Sequence, residues 1–255
     1  MDCKKRLLVL LAAMLVFPST LARAHEFFVV PEKWDTYKSG QILPLSIYST
    51  HHFMKGEEIE DIKLNALSYD GKNVPLSTNE AWLTHDARVE LKSAGAAVIT
   101  GHRQAMLWSI TPDGGNDGGR DKNKNATKVI QYEKFTKLIL PVDGNSQGFN
   151  TKTGQRLEIV PIDNPLEAKV GHELRFRVLL DGKPAAFDMV YATYDGFSDI
   201  ANAWAFAASP SSHGEAKVRI SKPGLWLVRV SIDLEEKTAE YDAMNVKATL
   251  VFPVK

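Results

Sequence analysis

A period-two alternation of apolar and polar residues recurs along the chain, and Asp-Gly or Pro-Gly pairs punctuate it. Leu43, Leu45 and Ile47 alternate with Pro44, Ser46 and Tyr48, and Met106, Trp108 and Ile110 with Leu107 and Ser109. Leu174, Phe176, Val178 and Leu180 alternate with Arg175, Arg177 and Leu179, and Trp226, Val228, Val230 and Ile232 with Leu227, Arg229 and Ser231. On an extended backbone such spacing sends alternate side chains to one face, which suits a half-buried strand and does not suit a helix. The pairs Asp70-Gly71, Asp113-Gly114, Asp143-Gly144, Asp181-Gly182 and Pro223-Gly224 supply the reversals between runs. The pattern predicts an all-β protein of two antiparallel β-sandwich domains in tandem, Ig-like or prealbumin-like. Only residues 235–245 read as a helical turn or two.

Two polar stretches interrupt the strands. Residues 112–127 (PDGGNDGGRDKNKNAT) form a long glycine-rich loop in the first half. Residues 143–154 (DGNSQGFNTKTG) separate the halves, giving an N-terminal domain over 25–145 and a C-terminal domain over 146–255. In the latter, Pro223-Gly224 reverses the chain and Trp226 is expected to plug the core.

Residues 1–24 read as a cleavable signal peptide. Lys4, Lys5 and Arg6 are its positive start, residues 7–17 its apolar stretch, and Ala22-Arg23-Ala24 its small-residue cleavage site. That stretch is too short to cross a bilayer, and no later apolar run approaches the roughly 20 residues a spanning helix needs. The single cysteine, Cys3, falls inside the leader, so the mature chain has no disulfide, which is compatible with an oxidising compartment. Removing four basic and one acidic side chains from 31 of each leaves a net charge of −3, no electrostatic footprint for nucleic acid. A periplasmic protein is expected.

Cleavage after Ala24 makes His25 the first mature residue. A histidine there offers a metal its α-amine and its imidazole Nδ1 together, a chelate no internal histidine can form. The amine titrates near pH 8, so part of it is unprotonated at neutral pH.

Histidines are the reactive set, because the familiar catalytic and phosphate-binding motifs are missing. There is no Gly-x-Ser-x-Gly elbow, no phosphate-cradling loop, no Gly-x-Gly-x-x-Gly and no His-Glu-x-x-His; after His25-Glu26, Val29 stands where the second histidine belongs. Five of seven histidines lie in the first half: His25, His51, His52, His85 and His102. His51 and His52 follow a predicted strand, so they are expected to point to opposite faces, with one facing the site and Met54 on the side of His52. His102 follows Gly101, a sign of a strand end or a close backbone approach. Glu26, Glu57 and Asp86 are near in sequence and are candidates to hold the imidazoles. His172 and His213 read as surface residues.

Two segments carry a family resemblance. Ala24-His25-Glu26-Phe27-Phe28-Val29-Val30-Pro31 resembles the start of a domain-of-unknown-function family of exported bacterial proteins. Residues 154–165 (GQRLEIVPIDNP), followed by Val178-Leu179-Leu180-Asp181-Gly182-Lys183-Pro184, are similar to that family's central signature. The family is associated with periplasmic components of cobalt or nickel uptake systems. The resemblance implies two β-domains that bind a divalent transition metal, with His25 as a ligand and His52-Phe53 in a matching segment. His51 stands where that segment has glycine, and Ser211-Ser212-His213-Gly214 replaces the family's Thr-Asp-x-x-Gly.

The expected function is therefore non-enzymatic: a periplasmic protein binding nickel or cobalt (copper and zinc suit the same donors) and serving an inner-membrane transporter or outer-membrane receptor. His25 leads the ligand set, joined by His52, His51, His102 and His85. Two rivals stand beside it. One is a copper monooxygenase with an N-terminal histidine brace, its substrate face drawn from Trp34, Tyr37 and Trp82. The other is an interaction module without metal.

Overall fold

The structure is a computed structural model that describes residues 25–255 apart from 35–36, 61–65, 93 and 212. The expected signal peptide lies outside the described residues. In chain order the strands are β1 (Glu26–Pro31), β2 (Ile42–Thr50), β3 (Leu67–Tyr69), β4 (Lys72–Val74), β5 (Leu76–Asn79), β6 (Thr84–Glu90), β7 (Gly95–Thr111), β8 (Gly114–Asp117) and β9 (Lys128–Val142). They continue with β10 (Leu157–Pro161), β11 (Glu173–Leu180), β12 (Lys183–Pro184), β13 (Val190–Tyr194), β14 (Phe206–Ala208), β15 (Glu215–Arg219), β16 (Gly224–Leu234) and β17 (Ala243–Val254). A single 3-10 turn, Pro165–Glu167, is the sole helical element among the described residues. No helix there is long and apolar enough to cross a membrane.

The all-β sandwich expectation holds, and the way the halves join adds to it. A four-stranded sheet, β1-β2-β6-β5, covers one face of a nine-stranded sheet ordered β14-β13-β16-β17-β9-β7-β3-β4, with β8 on β7. A second four-stranded sheet, β10-β11-β12 with β15 on β11, covers the opposite face. The two sandwiches thus share their middle sheet. The join is a parallel pairing of β17 with β9, from Ala243↔Ile130 to Val251↔Leu138, whereas the other strand pairs are antiparallel. The loop over 143–156 that separates the halves in sequence connects two layers.

A sheet covered on both faces needs apolar residues on both. In β16, Trp226, Val228, Val230 and Ile232 enter the core shared with β10, β11 and β15, while Leu225 and Leu227 enter the core shared with β1, β2 and β6. Trp226 is fully buried, and its indole N–H donates to the Lys222 carbonyl at 2.9 Å. It is the core plug expected of it. Outer strands keep the simple alternation: β2 buries Leu43, Leu45 and Ile47, and β11 buries Leu174, Phe176 and Val178.

Three local expectations change. Residues 235–245 form no helix; they are irregular up to Asp242, and Ala243 opens β17, whose ladder partners override the weak helical pattern. The glycine-rich stretch 112–127 contains β8, held to β7 by the pairs Trp108↔Asp117 to Thr111↔Gly114. Within β7 the alternation is right but the buried positions are the other set, and a bulge lies between Arg103 and Met106. Ser109 and Thr111 are buried, whereas Met106, Trp108 and Ile110 are half-exposed.

Candidate metal centre

The site begins with a register. In the β1–β2 ladder Glu26 pairs with Thr50, and the antiparallel step beyond it sets His25 beside His51. The two imidazole centroids are 4.1 Å apart. Beyond Thr50 the chain leaves the strand. The Thr50 hydroxyl accepts from the His52 N–H at 2.9 Å, Met54 takes a left-handed φ of 69°, and a bridge between Ser49 and Glu58 closes the loop. This bend carries Glu57 back over the two histidines.

Glu57 is the hub. Its Oε2 accepts from the His51 backbone N–H at 3.0 Å, from His51 Nδ1 at 2.8 Å and faces His25 Nε2 at 3.2 Å. Its Oε1 is bonded to His52 Nδ1. Because residues 51 and 52 sit in a bend and not in a strand, both imidazoles reach one carboxylate; the expectation of opposite faces does not hold. His25 turns its other nitrogen, Nδ1, to Glu58 Oε1 at 2.5 Å. The side chains of His25, His51, His52 and Glu57 keep 22–24% of their surface exposed, so an ion can reach them from solvent.

The electrostatics follow from these contacts. Burial works against an ionised Glu57, but the His51 amide and the two imidazoles outweigh it and hold its pKa at about 2. Burial draws His25 below the ordinary imidazole range, with His51 and Lys134 acting the same way and Glu58 and Glu57 resisting. A neutral imidazole has one N–H and one lone pair. Neutral His25, between two carboxylates, therefore points a lone pair at an anionic oxygen, a repulsion that a bound cation relieves.

A layer of buried charge lies beneath. Ser49 Oγ links Glu58, at 3.3 Å, to Glu60. Glu60 pairs with Lys134 Nζ at 2.9 Å and Arg103 Nε at 2.7 Å, all three nearly inaccessible. Burial pushes Lys134 down to about 8 in spite of Glu60. Glu26 turns into the same layer, with Arg229 Nε at 3.1 Å and Lys247 Nζ at 3.4 Å.

His25, His51 and Glu57 each offer a ligand atom, all within 4.8 Å of one another. Metal bonds of about 2.0–2.2 Å in a tetrahedral shell put ligand atoms roughly 3.3 Å apart. The 2.8 and 3.2 Å separations around Glu57 Oε2 are close to that, so these residues fit a first-row divalent ion after modest adjustment. His52 joins through the second oxygen of Glu57.

The other expected ligands are elsewhere. His85 Nε2 donates to the Glu60 carbonyl at 2.7 Å and so steadies the loop that carries Glu57. His102 stacks on Phe135 and bonds Glu133 Oε1 at 2.7 Å. Asp86 accepts from Ser46, Thr84 and Asn79 and takes no part. His172 and His213 lie in the other half, in turns flanking β11 and β15. Sequence reasoning placed Glu57 only as a neighbour and missed Glu58; an acidic pair a few residues after a His-His pair, separated from it by Gly56, is the available signal.

The family profile described as "Domain of unknown function (DUF4198)" matches residues 22–233. No curated protein matches the chain. Among solved structures, the D0-D1 domain of intimin is 12% identical, over 91% of this chain and 99% of that one, with a TM-score of 0.23. The human OSCAR ligand-binding domain is 11% identical over 91% and 99%, also at 0.23. At such TM-scores the likeness carries no argument.

Proposed function

The chain belongs to the DUF4198 family, and on that premise we propose that it is an extracytoplasmic metal-binding protein that captures a divalent transition ion for uptake. The observation that carries this reading is the convergence of His25, His51 and Glu57, with His52 on the far oxygen of Glu57. Imidazole nitrogens with one carboxylate suit nickel, cobalt, copper(II) and zinc. Intrinsic affinity rises towards copper, so loading with nickel or cobalt reflects supply and geometry. Processing to His25 adds the α-amine, which chelates together with Nδ1; Nδ1 now faces Glu58 and Nε2 faces Glu57, so on binding the ring turns to bring Nδ1 towards Glu57 and His51.

The test is metal analysis of protein that begins at His25, prepared from the periplasm without chelators, followed by titration of the stripped protein with nickel, cobalt, copper and zinc ions. One bound ion per chain is expected, with micromolar or tighter affinity for nickel or cobalt. Failure of all four ions to bind overturns the reading.

A further inference from the structure

The outer face of the sheet β1-β2-β6-β5 holds an open groove of about 870 Å³ that the metal reading does not use. The volume lies within the roughly 300–1,000 Å³ of small-molecule sites. Its floor is a pre-ordered hydroxyl and amide array. Asp86 accepts from Ser46 Oγ at 2.8 Å, Thr84 Oγ1 at 2.9 Å and Asn79 Nδ2 at 2.7 Å, which fixes each donor and leaves the hydroxyl oxygens able to accept from a ligand. Tyr48 adds a phenol to the same lining. Burial, then the nearby Asp86 charge, raise its pKa, so it stays a neutral donor.

One wall is Trp82, 71% exposed, the largest aromatic surface the described residues offer to solvent. Its backbone is fixed. The Trp82 N–H donates to Asn79 Oδ1 at 3.3 Å, Leu83 is held at a φ of 53°, and Gly56 lies so close to the Trp82 carbonyl that a Cβ has no room. Met54, on the groove lining, is also left-handed, at 69°. Non-glycine residues in that region are strained, and such strain collects at binding sites.

The charge balance narrows the ligand. Glu32, Asp86 and Arg88 are the charged residues of the lining, and Asp86 is engaged by the floor itself. There is no cationic cluster for phosphate or an acidic polymer, and the floor is too polar for a lipid chain. What remains is an uncharged molecule with many hydroxyls and flat apolar faces. We propose that the groove binds a neutral oligosaccharide, with one pyranose ring stacked on Trp82 and the next hydrogen-bonded to the array around Asp86. An indole face suits the apolar C–H face of a sugar ring, and an edge-on hydroxyl suits the floor.

The test uses the full chain beginning at His25, with cellohexaose, chitohexaose and heparin hexasaccharide as probes, followed by calorimetry and tryptophan fluorescence. Saturable binding of at least one of the two neutral probes is expected. Trp82→Ala should weaken it about tenfold, Trp82→Phe should retain most of it, and a chelator should leave it unchanged. The proposal is overturned if neither neutral probe saturates below roughly 5 mM, if Trp82→Ala binds like the parent, or if only the heparin fragment binds. Chelator insensitivity keeps this result separate from the fate of the metal reading.

Discussion

Glu26 stands opposite Thr50 in the β1–β2 ladder, and that one register puts the residues just outside the two strands, His25 before β1 and His51 after β2, with ring centroids 4.1 Å apart. The backbone of β1 is in turn anchored to the middle sheet. The Phe27 carbonyl accepts from Thr249 Oγ1 at 2.7 Å, and the Val29 N–H reaches Thr136 Oγ1 at 3.3 Å, so a slipped register would break contacts with the middle sheet. His25 and His51 of the candidate centre are thus tied to the core, and the loop after Thr50 adds Glu57 to them.

Glu57→Gln should lower metal affinity by roughly 10- to 100-fold, the cost typical of losing a carboxylate that orients imidazoles. Calorimetric titration with nickel checks this, and unchanged circular dichroism would show that the fold survives. An affinity equal to the parent's would remove Glu57 from the centre.

Extending the mature start by one alanine should weaken metal binding at least tenfold, about 1.4 kcal/mol, because the α-amine leaves the chelate while every side chain stays. His51→Ala should cost at least as much. Equal affinities for the extended and native forms would mean that His25 acts through its ring alone.

Acid should destabilise the metal-free protein in two stages. Burial keeps the His25 pKa below 6.5, so the unfolded chain takes up that proton first and stability falls as pH drops below about 6.5. Glu57 works in the same direction lower down. Its folded pKa of about 2 lies under the usual 4.5, so its contribution is complete above about 4.5 and lost on the way to 2. Urea unfolding from pH 7.5 to 3 reads both limbs, and Glu57→Gln should flatten the lower one. Metal should also be released below about pH 6, as protons compete for the imidazoles.

Glu60→Gln should destabilise the protein by about 3–5 kcal/mol, because it leaves Lys134 and Arg103 buried without their counter-charge. Lys134→Met should cost less than about 1 kcal/mol, since Arg103 still neutralises Glu60 and the expense of burying the ammonium disappears. Chemical denaturation of both variants measures the contrast; equal losses would mean that the lysine is the essential partner.

Trp226→Ala should cost about 3–5 kcal/mol, the usual range for emptying a fully buried indole site. Thermal and urea unfolding check it. A loss under 1 kcal/mol would mean that the neighbouring strands collapse into the space.

The alternating runs made β2, β11 and β16 legible, and the Asp-Gly pairs marked real reversals: Asp70 and Gly71 both take positive φ between β3 and β4, as do Asp181 and Gly182 between β11 and β12. Alternation could not say which face of β7 is buried, because both faces of a middle sheet meet a core. The helical reading of 235–245 failed because the ladders of β17 outweigh local propensity. For the site, residue type and position singled out His25, His51 and His52. Opposite faces for the pair would need the strand to continue past Thr50, and it bends there. His85 and His102 were grouped with them only by nearness in sequence.

The sequence by itself determined that this is a strand-built chain, where several of its reversals fall, and that imidazoles are its candidate ligand groups, since alternation, turn chemistry and side-chain type are local properties. Tertiary structure alone decided that two sandwiches share one sheet, that Glu57 is the hub of the histidines, and that His85 and His102 serve other partners. Strand register and the parallel joining of β9 to β17 set those facts, and both depend on which distant surfaces bury each other.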